Sequence, residues 1–111
     1  MDWLAELKAE YEKAEKARAN GNEGQARVCA RRAAGIASRE YFARRCARPR
    51  TASAYDLLGL VSRDKSLPPD LREAAARLTL RVDEDFTLPA ELDLIVEAKR
   101  LIDGLAKLPE P

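Results

Sequence analysis

The run from Gly24 to Arg48, GQARVCARRAAGIASREYFARRCAR, constrains the fold more than any other feature of this chain. It contains no proline, it is rich in the strong helix formers Ala and Arg, and Pro49 follows it directly. Such a run predicts one long helix. Its many small residues would let neighbouring helices approach closely, so we place it at the centre of an all-α protein.

A helical wheel of this segment has an apolar face of small residues and an arginine face opposite it. The arginine face is interrupted by Val28, Gly35, Phe42 and Cys46. Apolar residues on both sides predict contacts on two sides of the helix. One contact would be with its own bundle, and the other with the same helix of a second chain. Those four residues are therefore our candidate dimer contacts.

The other segments predict four further helices. One covers about residues 2–20 with Asp2 as its cap, and the Asn-Gly-rich turn after it predicts an antiparallel return. A short helix covers about 52–63, capped by Thr51 or Ser53. A fourth opens near Pro69 and keeps helical spacing to about Val82. The last begins near Pro89. With 111 residues, the chain is expected to form one domain, 1–111.

Residue types that the chain lacks exclude several chemistries. There is no histidine, so a Ser-His-Asp triad, a Cys-His pair and a HExxH zinc site are impossible. Cys29 and Cys46 would lie about 25 Å apart on one helix, too far for a disulfide, and they lack zinc-binding spacing. We expect both to be buried as small apolar residues. No phosphate-binding glycine loop is present, and we predict no metal site, no cofactor and no catalytic residue.

Charge is unevenly distributed although the net charge is only +1. Residues 1–23 carry −2, residues 24–50 carry +7, and residues 51–111 carry −4. The basic segment either pairs with the acidic helices beside it or forms an anion-binding face. We favour pairing with protein, and we retain an RNA-binding or nucleotide-binding face as the alternative. Its candidate residues are Arg31, Arg32, Arg39, Arg45, Arg48 and Arg50.

The first residues, MDWLAELKAEYEK, lack the apolar core of a signal peptide. No run approaches the roughly 18 apolar residues that a membrane-spanning helix needs. We therefore expect a cytoplasmic protein without a membrane partner.

Three stretches resemble the HEPN superfamily of helical domains, over about residues 3–106. AEKARANGNEGQARVCARRAAGIASREYF is similar to the family's first two long helices. AYDLLGLVSRDKSLPPDLREAAARLTLRVDEDFTLP is similar to its short helix, proline-marked loop and following helix. ELDLIVEAKRLIDGL looks like its terminal helix.

This resemblance implies an antiparallel up-and-down bundle of four long helices plus a short helix, commonly a homodimer. Many members are ribonucleases with an Arg-x4–6-His motif, and others are partner subunits of a minimal nucleotidyltransferase. Arg77 and Arg81 lie in the region of that motif, but no histidine follows either of them. We carry over the fold and the dimer, and not the nuclease activity.

The sequence thus predicts a non-catalytic, homodimeric, prokaryotic-type interaction or accessory domain, with a nucleotidyltransferase as its potential partner. The alternative is an RNA-binding or degenerate ribonuclease domain that uses Arg77, Arg81 and the arginine stripe. A third hypothesis is a helical bundle that binds a small ligand.

Overall fold

A computed structural model describes residues 2–45, 49–80 and 92–109. Five α-helices lie within these ranges, and they pack as an all-helical bundle, which confirms the predicted fold class. None of them is long and apolar enough to span a membrane. In chain order they are α1 (Trp3–Ala19), α2 (Glu23–Arg44), α3 (Ala54–Ser62), α4 (Pro69–Leu78) and α5 (Leu94–Ala106).

Side-chain caps set the starts of α1, α2 and α3. Asp2 caps α1, as predicted, by accepting a hydrogen bond from the backbone of Leu4 at 3.0 Å. The turn after α1 is short because Gly21 adopts a φ of 79°. Asn22 then caps α2, so this helix begins one residue earlier than expected and runs back along α1. Ser53 caps α3.

Three predicted helix boundaries were wrong. The central helix ends at Arg44 and not at Arg48, because the amide of Arg45 turns back to the Phe42 carbonyl in a tighter turn. Likewise α4 ends at Leu78, where the next two amides also bond three residues back. The last helix begins at Leu94, because the Asp93 carboxylate accepts hydrogen bonds from the backbone amides of the first turn.

The central position of α2 is confirmed. It packs against α1, α3 and α5, while α4 closes the bundle against α3 and α5. Its small side chains lie fully buried at these contacts, among them Ala26, Ala30, Ala33 and Ala34. Cys29 is buried in the same core, as expected for a small apolar residue. The predicted contact on two sides therefore exists within one chain.

Two glycines allow close approaches between helices. A β-carbon at Gly35 would lie 2.9 Å from that of Ala54, at the start of α3. A β-carbon at Gly104 would collide with the side chain of Leu71 in α4. Both contacts bring a helix nearer to its neighbour than alanine would permit.

The loop between α3 and α4 is attached to α2 by Tyr41. Its hydroxyl donates to Asp64 at 2.7 Å and lies 3.3 Å from the Ser66 hydroxyl. Burial raises the pKa of Tyr41. Burial would also raise the pKa of Asp64, but hydrogen bonds from Ser66 and Tyr41 outweigh it, so the pKa of Asp64 is lowered. This network holds the loop to the side of the bundle.

Candidate functional site

Arg31 is a structural residue of the core. Its side chain is buried, and its guanidinium donates to the Leu78 carbonyl at 2.8 Å and to the Leu80 carbonyl at 2.9 Å. Leu78 is the last residue of α4, and Leu80 lies two residues beyond it. The guanidinium also lies 5.2 Å from the centre of the Tyr55 ring. Arg31 therefore caps α4, and the prediction that it belongs to an exposed anion-binding face is wrong.

Arg32 and Arg39 lie in a different environment, along a groove of about 270 Å³ beside α1. Arg39 donates to the Glu6 carboxylate at 3.2 Å, which is the pairing with an acidic neighbour that the charge distribution favours. Arg32 is exposed and forms no ion pair in the described part of the chain. Glu10 lines the same groove, and one of its carboxylate oxygens is buried without a hydrogen-bond partner among the described residues.

The four candidate dimer contacts have different positions. Gly35 is buried against α3, so its prediction as a dimer contact is wrong: the close approach that it allows is used inside the chain. Phe42 is half-buried, and its ring meets the Tyr41 ring edge-on at 5.0 Å. Val28 is exposed and remains available to a second chain. Cys46 lies outside the described residues.

Arg77 lies in a network of charges between α4 and α5. It pairs with Glu73 at 3.6 Å on its own helix and with Glu97 at 3.5 Å across the contact. Glu97 is buried and also accepts from Arg100 at 3.1 Å. The carboxylates beside Arg77 thus form ion pairs. Arg81 and the acidic cluster 83–85 lie outside the described residues.

The remaining predicted arginines are Arg45, Arg48 and Arg50. Arg45 stacks on the Tyr41 ring, with 4.1 Å between the guanidinium carbon and the ring centre. Arg50 is exposed. Arg48 lies outside the described residues. The described arginines of the predicted face therefore differ in burial and in the groups that they contact.

Arg18 forms ion pairs with two carboxylates from different helix ends, and this contact was not predicted. It donates to Glu23 at 2.6 Å and to both carboxylate oxygens of Asp93 at 2.9 Å, so it joins the ends of α1, α2 and α5. Hydrogen bonding to Arg18 lowers the pKa of Glu23. Burial would raise the pKa of Asp93, but the bonds from Arg18 and from backbone amides outweigh it and lower it.

A small cavity at one end of the bundle was also missed. It has a volume of about 90 Å³ and lies between the first turns of α1 and the last turns of α2 and α5. Trp3 and Leu7 form part of its wall, and Arg44 and Arg45 lie at its edge. Sequence spacing within one helix does not show which residues of α5 lie opposite Trp3.

No group of three or more Cys, Asp or Glu residues is arranged to hold a metal ion within the described ranges. Fold and side-chain geometry together define an all-helical bundle whose arginines mostly contact the chain's own carboxylates, carbonyls and rings. No protein-family model matches this chain, and neither a curated protein nor a solved structure matches it.

Proposed function

We propose that this chain is a non-catalytic, HEPN-like interaction domain that forms a homodimer and acts as an accessory subunit. The proposal rests on one observation, namely that arginine side chains bind carbonyl and carboxylate groups of the same chain. Arg31 binds carbonyl groups, Arg39 binds Glu6, and Arg77 binds Glu73 and Glu97. Guanidinium groups held in this way stabilise the bundle and are not presented to a phosphate.

Arg77 also supports the non-catalytic part of the proposal. In the resemblance to HEPN nucleases, this arginine would act together with a histidine, and the chain contains none. Its contacts with two carboxylates give it a structural role between α4 and α5. A minimal nucleotidyltransferase remains the proposed partner, on the strength of the same resemblance.

The proposed dimer uses the exposed side of α2 around Val28. This side chain is 36% exposed although it lies on the central helix. An apolar residue exposed at this position would be buried by the same helix of a second chain, and apolar contacts of this kind dominate the centre of homodimer interfaces.

Light scattering at increasing protein concentration tests the dimer. We expect twice the monomer mass for the wild type, and a shift to monomer for Val28→Glu, because a buried unpaired charge opposes association. Val96→Glu is the matched control, since Val96 is similarly exposed but lies on α5. A monomeric wild type, or equal effects of the two substitutions, would contradict the proposal.

The alternative, RNA binding, is favoured by one observation: Arg32 and Arg50 are exposed and form no ion pair with described residues. Binding of a labelled RNA should be measured at low salt, where phosphate contacts are strongest. Saturable binding that Arg32→Gln and Arg50→Gln together abolish would replace the interaction-domain proposal with this one. Cleavage of that RNA, lost in Arg77→Ala, would overturn the non-catalytic assignment.

A further inference from the structure

We propose that the cavity between the ends of α1, α2 and α5 binds a small organic acid with a branched apolar body of about four carbons. This inference is independent of the proposed function, because one chain supplies all the lining residues. It rests on the size of the cavity, on its apolar wall, and on the charge at its edge.

The wall of the cavity is mainly apolar. Leu7 and Tyr41 are buried at its base, and Ile102 and Leu105 of α5 pack against the same cluster. The Trp3 ring completes the wall. Such a surface offers water few hydrogen bonds, so replacing that water with an apolar group is favourable.

The volume limits what can enter. About 90 Å³ is smaller than a cavity of about 150 Å³, which accommodates benzene. A branched chain of about four carbons has this size, whereas a nucleoside or a long acyl chain does not fit. Among the lining residues, Arg44 is exposed and Arg45 is half-buried, so a polar ligand end beside them stays in contact with solvent.

The two arginines at this edge differ in their partners. Arg44 pairs with Glu40 at 3.2 Å, and its guanidinium lies 5.6 Å from the centre of the Trp3 ring. Arg45 lies over the Tyr41 ring and forms no ion pair with any described residue. Its positive charge helps to lower the pKa of Asp64, whose carboxylate accepts hydrogen bonds from Tyr41 and Ser66.

A guanidinium that stacks on an aromatic face keeps its N–H groups in its own plane, where they can donate to a carboxylate. The Arg44–Glu40 pair contributes no net charge at this edge, and Arg45 adds a positive charge that Asp64 attracts without forming an ion pair with it. The edge therefore attracts an anionic head group and repels an amine. The apolar wall and Arg45 together select a small amphipathic acid over a neutral molecule of the same shape.

Trp3 provides the measurement, since it is the single tryptophan of the chain and lines the cavity. Its fluorescence should be titrated with 3-methylbutyrate, and in parallel with 3-methyl-1-butanol, which has the same branched four-carbon body with an uncharged hydroxymethyl group in place of the carboxylate. We expect a saturable change with the acid, at a dissociation constant of about 1 mM or below. The alcohol should bind about tenfold more weakly, since a charge-assisted hydrogen bond is lost.

Substitutions test the role of Arg45. We expect Arg45→Gln to weaken binding of the acid about tenfold while leaving the alcohol unchanged, and Arg45→Lys to retain most of the affinity. Arg32→Gln, an equal charge change on the same helix but outside the cavity, is the matched control. Circular dichroism checks that each variant is folded.

Three outcomes would overturn the proposal. The first is a wild-type Trp3 signal that does not saturate with the acid. The second is equal binding of acid and alcohol, which would leave no role for the charge. The third is unchanged acid binding by folded Arg45→Gln.

Discussion

Adjacent arginines on one helix have opposite roles. Arg31 and Arg32 are neighbours in the sequence, yet Arg31 is buried and caps α4 while Arg32 is exposed. Successive residues of a helix point about 100° apart, so only one of the two can face α4. Residue type alone therefore does not decide whether an arginine serves the core or the surface.

The cap formed by Arg31 predicts a clear stability difference. Arg31→Met removes two charge-assisted hydrogen bonds and leaves the carbonyls of Leu78 and Leu80 without their donor. We expect the free energy of unfolding to fall by about 2–4 kcal/mol in urea denaturation. Arg32→Met, the exposed neighbour, should change it by less than about 0.5 kcal/mol. Equal losses in the two variants would show that Arg31 is not a cap.

The contact between Arg18 and Asp93 predicts a pH dependence of stability. The folded state lowers the pKa of Asp93 below its ordinary value of 3.8. The resulting stabilisation is complete above that ordinary value and is lost as the pH falls through the lowered pKa. Asp93→Asn keeps a residue able to cap α5 but removes the charge. On acidification from about pH 6 to about pH 2, the free energy of unfolding should therefore fall by less in Asp93→Asn than in the wild type.

Thermal unfolding across this pH range measures the effect. Asp103→Asn is the control, because Asp103 forms an exposed pair with Lys99 on the same helix, and exposed pairs contribute little. A wild-type pH profile in Asp93→Asn would contradict the prediction.

At the scale of elements, small residues determine how closely α2 and its neighbours pack. Gly35 allows the start of α3 to cross α2, and Gly104 accommodates Leu71 of α4 against α5. Four alanines of α2 lie fully buried in the bundle, namely Ala26, Ala30, Ala33 and Ala34. A bundle with few aromatic residues gains its packing density in this way, since it cannot fill wide gaps with large rings.

Gly35→Ala tests this packing. The added methyl group would lie 2.9 Å from the β-carbon of Ala54, so α3 must shift, and we expect a loss of about 1–3 kcal/mol despite the better helix propensity of alanine. Gly24→Ala is the matched control in the same helix. There the nearest atom lies at 3.9 Å, and we expect a gain of up to about 1 kcal/mol. Calorimetric melting measures the stability of both variants relative to the wild type. A Gly35→Ala variant more stable than the wild type would contradict the close contact between α2 and α3.

At the scale of the whole molecule, acidic and basic segments offset one another. The segment 24–50 carries +7, but the chain carries only +1, and α1 supplies a carboxylate to Arg39 through Glu6. A polyanion therefore meets a surface on which positive charges are partly compensated by neighbouring carboxylates.

Heparin chromatography measures this compensation. We expect the wild type to elute below about 0.2 M salt, because few uncompensated cations are available to release counterions. Glu6→Gln removes the partner of Arg39 and should elute later. Glu12→Gln changes the net charge equally on an exposed part of the same helix and is the control. Retention of the wild type at much higher salt would indicate a real anion-binding surface.

Helix class, helix order and the caps at Asp2 and Ser53 could be predicted because they depend on neighbours in the sequence. Asp2 caps α1, and Cys29 is buried, as the pattern indicated. The predicted end of the central helix was wrong, because Pro49 sets a limit without showing where the last turn tightens. The start of α5 was wrong because the Asp93 cap, and not Pro89, begins the helix.

The site could be predicted only in part. The charge distribution predicted that arginines would pair with acidic neighbours. Arg39 and Glu6 form such a pair. The carbonyls bound by Arg31 lie 47 and 49 residues away in the chain, and no spacing rule connects them. The same holds for the cavity, whose residues come from three helices.

The sequence by itself determined an all-helical chain with a small-residue helix at its centre, because propensity, periodicity and capping act over a few residues. Tertiary structure alone decided which face of that helix meets which neighbour, and hence that Arg31 is buried, that Gly35 contacts α3 and that a cavity remains beside Trp3. The physical reason is that these features depend on distances between residues far apart in the chain, which only the packed bundle specifies.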